Sequence, residues 1–263
     1  MTSILLTNDD GYNSIGFYPL LNELSKDFLV KAIAPKTEQS WVGKSISKFK
    51  ELSIEKTKIE DFDIHLIDGT PADCVQIGIY DVFKKKPDIV VSGINIGNNL
   101  GHGFILSSGT VGAAMEASIN GIKSLSFSLQ FPPNGRDSLD FFNPKNYSIY
   151  FNAAKISAKI VKIFSTVNFS EGIDLISVNI PFKANINSGF EITKPYRNNY
   201  GKLFHNKNLK FKHINPPFDF KDLKKGTDLK ALSDGKISIT PINLDLVSKK
   251  SLEGLKNIMK NNW

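Results

Sequence analysis

Short apolar runs alternate with helically spaced ones along the first 180 or so residues. Ser3 to Thr7 (SILLT) is a brief apolar block ended by turn chemistry and predicts a buried strand. Ile15 to Leu24 carries apolar residues at helical spacing. Phe28 to Ala34 (FLVKAIA) predicts a second strand closed by Pro35, and Ile64 to Ile67 a short third. Ala72 to Val82 predicts a helix with Asp73 in its first turn. Asp88 to Ser92 (DIVVS) predicts another buried strand, and Thr110 to Asn120 (TVGAAMEASIN) a helix ending near Gly121. Ser124 to Leu129 reads as a strand, Tyr147 to Phe164 as a long helix, and Leu175 to Ile180 (LISVNI) as a strand stopped by Pro181.

Strands alternating with helices imply parallel pairing through right-handed crossovers. The expected fold is therefore α/β, with a Rossmann-like, doubly wound, mostly parallel sheet. The character changes after Pro181. Residues 183–232 are rich in Asn, Lys and aromatics, with weak periodicity. One alternating strand follows in Lys236 to Ile242 (KISITPI), and a last helix in Leu252 to Met259. The expected organisation is a catalytic core over 1–182 and a C-terminal extension over 183–263, made of hairpins, a strand and a terminal helix. No internal repeat is visible.

Composition changes this picture little. The chain has 263 residues, 41% of them hydrophobic and 22% charged, enough for a sizeable core. No apolar run approaches the roughly 18 residues needed to span a bilayer. The first apolar run ends in Asp9 and Asp10, so it reads as structure and not as a signal peptide. A single cysteine, Cys74, excludes an intrachain disulfide and favours the cytoplasm. The net charge of +7 is almost all lysine; Arg136 and Arg197 are the only arginines. That balance fits a solvated lysine surface, or attraction of anionic substrates, and lacks the clustered arginine of many nucleic-acid binders.

In an open parallel sheet, ligands bind beyond the carboxyl ends of the strands. After the first strand come Asn8, Asp9, Asp10 and Gly11, two like charges side by side. They repel unless a cation lies beside them, and hard divalent cations prefer oxygen ligands. Asn95, in SGINIGNN (Ser92 to Asn99), offers an amide oxygen, and Ser40, after the second strand, a hydroxyl. None of His65, His102, His205 and His213 has a paired metal-ligand spacing, so magnesium or manganese is a better expectation than zinc. The alternative is an Asx turn with solvated charges. SSGTVGAA (Ser107 to Ala114) opens a helix with hydroxyls at Ser108 and Thr110, which suits a phosphate; a plain capped helix is the alternative there.

Taken in order, ILLTNDDG, AP…QS, GTPADC, SGIN, SGTVGAAMEA, VNIP, TKPYRNNY, TDLKAL and ISITPI resemble the survival protein E (SurE) family, metal-dependent nucleoside monophosphate phosphatases. The likeness runs over nearly the whole chain. It implies a 5′-nucleotidase, with 3′-nucleotides and polyphosphate as further substrates to test, and one divalent cation (Mg2+ or Mn2+) per subunit. It places metal ligands at Asp9, Asp10, Ser40 and Asn95, with Asp9 and Asp10 also catalytic. Phosphate contacts fall on Asn95, Ser108, Gly109 and Thr110. It also implies a homo-oligomer, a dimer or tetramer exchanging C-terminal segments, with no membrane and no stable nucleic-acid partner. Three positions depart from the pattern. Trp41 follows the ligand serine where the family commonly has a small residue; core packing is its expected role, with stacking on a nucleobase the alternative. Ser107 stands before the SGT turn, and His102 with Gly103 where an acidic residue is frequent.

Other readings of the acidic pair fit less well. Receiver domains need a phosphoacceptor aspartate after the third strand, where this chain has Asn95, and are about half as long. The haloacid-dehalogenase phosphatases need Asp-x-Asp, but two residues after Asp9 stands Gly11. A nucleotide- or RNA-binding module without turnover remains as the alternative from a different class, favoured by the positive charge.

Overall fold

The computed structural model describes residues 1–131, 147–197, 201–214 and 223–262. Arg136 and the last three residues of TKPYRNNY lie outside them. The elements run β1 (Ser3–Thr7), α1 (Phe17–Leu24), β2 (Leu29–Pro35), β3 (Ile54–Ile59), β4 (Phe62–Ile67), α2 (Pro71–Ile77), β5 (Ile89–Ile96), α3 (Gly101–Ser107), α4 (Gly109–Ile119), β6 (Lys123–Leu129), α5 (Tyr147–Ser165), β7 (Leu175–Ile180), β8 (Phe190–Ile192), β9 (Phe204–Lys207), β10 (Lys210–His213), α6 (Asp228–Ser233), β11 (Ile237–Ile242) and α7 (Lys249–Asn262). Every strand and helix expected from the apolar pattern is present, within a few residues.

Among the described residues, nine strands form one sheet in the order β3-β4-β2-β1-β5-β6-β7-β11-β8. From β4 to β7 all neighbours are parallel. The chain works outward from β1 in one direction, then crosses to β5 and works outward in the other. The order therefore reverses between β1 and β5, which is where such sheets bind ligands. The middle of β1, Ile4 to Leu6, is apolar because both of its faces are covered. Ile4 and Leu6 pack with Phe17, Leu20 and Leu24 of α1 and with Ala153 and Val161 of α5. Leu5 faces the other way, onto Cys74 and Val75 of α2 and Ala113 and Ala117 of α4.

The structure corrects three details. The expected helix over 72–82 is α2 followed by a single π turn, Gly78–Val82. Residues 93–96, expected in a loop, continue β5. Residues 101–107, also expected in a loop, form α3. β3 and the short β8 were not foreseen. β8 and β11, beyond residue 182, extend the same sheet: β11 lies antiparallel to β7 and β8 parallel to β11. β9 and β10 form a separate two-stranded hairpin. No helix among the described residues is long and apolar enough to cross a membrane.

Candidate functional site

The site is built at the reversal point. Thr7, the last residue of β1, pairs with Ser92 of β5, and both side chains are buried. Just beyond, Asn8 is fully buried and its amide nitrogen donates to Gly11 O at 2.8 Å, which folds NDDG into a tight turn. That turn aims Asp9 and Asp10 at different elements. The Thr110 hydroxyl, at the mouth of α4, donates to Asp9 Oδ1 at 2.5 Å. Asp10 Oδ2 accepts the backbone N–H of Ile96, at the end of β5, at 2.9 Å. Residues from three separate stretches therefore meet within hydrogen-bond range.

Asp9 is 4% exposed. Burial pushes its carboxyl up to about 6, against the pull of hydrogen bonds from the Thr110 hydroxyl and backbone and from its own backbone; Glu38 pushes further upward. Among the described residues that shift this carboxyl, none supplies a compensating positive charge.

The loop after β2 brings up the next candidate. Gln39 N–H donates to Asp9 O at 2.7 Å, so the loop is pinned to the acidic turn. Ser40 follows, exposed, and its hydroxyl donates to Glu38 Oε1 at 2.6 Å. Downstream, the loop is held to GTPADC. Thr70 caps α2 by accepting from Asp73 N–H at 3.1 Å, while Asp73 accepts from Thr70 N–H at 2.8 Å, a reciprocal capping box with Pro71 at the first helical position. The remaining Asp73 oxygen takes Ser47 N–H at 3.0 Å. This motif therefore anchors the Ser40 loop.

Asn95 is half-buried at the end of β5. Its amide nitrogen donates to Gly97 O at 2.9 Å, which fixes the flip and leaves its amide oxygen for a ligand. On α4, Ser108 is the N-cap and accepts from Val111 N–H at 3.1 Å; its hydroxyl hydrogen can still be donated. Gly109 lies against Asp9: a Cβ there would stand 2.8 Å from Asp9 Cβ and 3.0 Å from Asp9 Oδ2. Only glycine lets the helix mouth approach the carboxylate this closely. Thr110, expected at the phosphate, holds Asp9.

The donors fit a hard cation and not zinc. Two carboxylates, an amide oxygen and a hydroxyl are all oxygen ligands. Among the described residues there is no group of three His, Cys, Asp or Glu that could hold a metal. Among the described residues, three buried acceptors near this edge have no hydrogen-bond partner: Asn8 Oδ1, Ser92 Oγ and Asn98 Oδ1. Such groups are costly to bury unless water or an ion satisfies them.

Sequence reasoning missed Glu38 and Asn8 as parts of this site, although both lie within two residues of a named candidate. It also missed Asp228, fully buried on α6, which accepts Gly101 N–H at 2.6 Å and Tyr196 N–H at 2.8 Å and so fixes the start of α3. Asp228 lies in TDLKAL, a stretch matched to the family with no role read for this residue. Trp41 is 37% exposed, so the expectation that it packs in the core does not hold.

The chain is similar to known proteins over nearly its whole length. A model of the family described as "Survival protein SurE" matches residues 4–202. The chain is 40% identical to the 5′-nucleotidase SurE of Methanoregula boonei, over 97% of this chain and 98% of that one. It is 36% identical to the 5′-nucleotidase SurE of Archaeoglobus fulgidus, over 93% and 92%. The crystal structure of the SurE protein from Aquifex aeolicus superposes with a TM-score of 0.79 at 32% identity, covering 98% of this chain and 99% of that one. Ordered motifs, sheet order and near full-length similarity lead to one statement: the chain belongs to the SurE family.

Proposed function

We propose that this protein is a metal-dependent phosphatase that hydrolyses nucleoside monophosphates, 5′-nucleotides foremost, to nucleoside and phosphate. The observation that carries the reading is the joining of Asp9, at the end of β1, to Thr110 at the mouth of α4. An acidic cation seat and a helix-terminal anion seat would thereby share one edge of the sheet. The names of the related 5′-nucleotidases support the same substrate class.

Asp9, Asp10, Ser40 and Asn95 would hold one divalent cation, Mg2+ or Mn2+. When bound, such a cation supplies positive charge to the phosphoryl oxygens and lowers the pKa of water beside it. The remaining work falls to the chain's own groups. The Gly109 amide at the helix mouth, with Ser108 and Asn95, would orient the phosphoryl group and meet the charge that spreads over its oxygens, while Thr110 holds Asp9. Asp9 would take the proton of the attacking water at Oδ2, since Oδ1 carries the Thr110 hydroxyl. The turn hydrogen bonds of Asn8 and the Gln39–Asp9 link keep that carboxylate in place.

The test is phosphate release from a panel of nucleoside monophosphates, with a titration of Mg2+ and Mn2+ and with excess EDTA. Metal-dependent release that EDTA abolishes is expected; release unaffected by EDTA, or none under any condition, would overturn the reading. We further propose a cytoplasmic homodimer formed through the C-terminal segments. The exposed Leu252, Leu255 and Met259 on α7 support the dimer, and the buried free thiol of Cys74 fits a reducing compartment. Light scattering on the full chain and on a chain ending before α7 checks the dimer.

A further inference from the structure

Trp41 adopts a left-handed backbone, with φ +64°, a region disfavoured for a bulky residue. It stands next to Ser40, and its exposure keeps it out of the buried core. Its indole meets the ring of Phe104 at 5.6 Å and 55°, and that of His213 at 4.8 Å and 67°. Phe204 packs on His213 at 5.6 Å. Phe204 and His213 are the two ends of the β9–β10 hairpin and pair with each other across it. A loop beside the cation seat, a helix and a remote hairpin thus contribute to one aromatic wall.

The wall lies close to the candidate phosphate seat. Phe104 is in α3, and Ser108 closes that helix and caps α4. Four residues of helix correspond to roughly 6 Å of rise, comparable to the reach of a ribose. Gly43 N–H donates to Ser107 O at 2.9 Å, which ties the Trp41 loop to the same turn. A half-exposed indole, flanked by ring edges and accepted despite an unfavourable backbone, suits a flat π-ligand.

We propose that Trp41, backed by Phe104 and His213, is the stacking platform for the nucleobase of the substrate. This rests on the nucleotidase reading above and adds where the base lies. Stacking is tolerant of base identity, because every base has a π face. The platform therefore favours nucleotides over base-free phosphate esters without selecting one base strictly.

The experiment compares adenosine monophosphate with ribose 5-phosphate, which keeps the sugar and phosphate but has no base, on the full chain with Mn2+. Trp41→Gly removes the ring and relaxes the backbone; Trp41→Phe keeps a ring. The expected result for Trp41→Gly is a KM for adenosine monophosphate raised about tenfold or more, an unchanged KM for ribose 5-phosphate, and substantial recovery in Trp41→Phe. An equal loss on both substrates, or no change on the nucleotide, would overturn the proposal. Fluorescence gives a second measure: in a Trp263→Phe background, adenosine monophosphate should quench Trp41 saturably and ribose 5-phosphate should not. Quenching without any turnover would sink the phosphatase reading and leave the platform standing. Turnover without quenching sinks the platform alone, and neither quenching nor turnover sinks both.

Discussion

Gly112, one turn into α4, lies so close to Gly43 that a Cβ on it would stand 2.3 Å from the Gly43 carbonyl oxygen and 2.6 Å from its carbon. Backbone meets backbone here, and no side-chain rotation can relieve the overlap. The two glycines let the Ser40 loop seat against the helix whose mouth holds Asp9. Gly112→Ala must therefore push loop and helix apart. A loss of about 1–3 kcal/mol in urea unfolding is expected, together with weaker phosphate release. Gly189→Ala is the control: nothing lies within 4 Å of its added Cβ, so its stability should stay within about 0.5 kcal/mol of the parent.

Asp9→Asn should abolish metal-dependent phosphate release while leaving the fold intact. The amide oxygen can still accept from Thr110, and a buried uncompensated charge is removed. The metal-free variant should thus unfold at or above the parent's midpoint, while Mn2+ stabilises the parent and not the variant. Thermal melts with and without Mn2+ provide the check; a variant retaining activity close to the parent's would contradict the assignment of this residue.

Lys44 and Glu116 clamp the same loop from the other side. Lys44 Nζ sits 2.5 Å from Glu116 Oε2, and the Glu116 side chain is 5% exposed. Burial pushes the Glu116 carboxyl up, but hydrogen bonds from Lys44 and Gln76 outweigh it and hold the value below the ordinary 4.5. A carboxyl lowered by folding stabilises the fold above its unfolded value, and that contribution fades as pH falls through the folded one. Lys44→Met leaves the carboxylate buried and unmatched. It should cost about 1–3 kcal/mol at pH 7, below the range for fully buried pairs because Lys44 is a third exposed. The cost should shrink below pH 4.5, which urea midpoints across pH would show.

Asp228→Ala removes an acceptor that serves three backbone N–H groups: Gly101 at 2.6 Å, and Tyr196 and Leu229 at 2.8 Å. Each buried donor left unmet costs about 1–3 kcal/mol. The expected loss is at least ~3 kcal/mol, and α3 should loosen. Asp228→Asn keeps one acceptor oxygen and should cost clearly less. Burial holds the Asp228 carboxyl above its ordinary value, so its ionisation works against folding, and the parent's contribution from this group declines as pH rises through the folded value. The asparagine variant should lose that dependence. Amide exchange at residues 101–107 reports the loosening directly.

The parts of the fold that were legible in the sequence are those whose residues carry their own instructions. SILLT, DIVVS and LISVNI announce themselves because strands covered on both faces are mostly apolar, on both sides of the alternation. Thr70, Pro71 and Asp73 declare a helix start through local hydrogen bonds alone. β3 was missed because Ile54–Ile59 is an exposed edge strand that, among the described residues, pairs only with β4, and its IEKTKI sequence buries no face deeply. α3 was missed because seven residues with two glycines have little helical tendency; the Asp228 carboxylate and the Tyr196 carbonyl, both distant in the chain, hold its first turn.

The candidate site divides in the same way. The paired carboxylates, the SGT turn and the mid-chain asparagine are chemically conspicuous, and the sequence alone placed them at the carboxyl ends of strands in a doubly wound sheet. It could not determine that Thr110 would hold Asp9, that β5 would run on to Ile96 and give its N–H to Asp10, or that a strained tryptophan would stand exposed beside them. Those outcomes depend on groups separated by up to 101 residues being brought within hydrogen-bond distance. Local propensity acts over a few residues, whereas such meetings are set by sheet order and by how closely glycine-lined backbones can approach, and only the packed structure decides them.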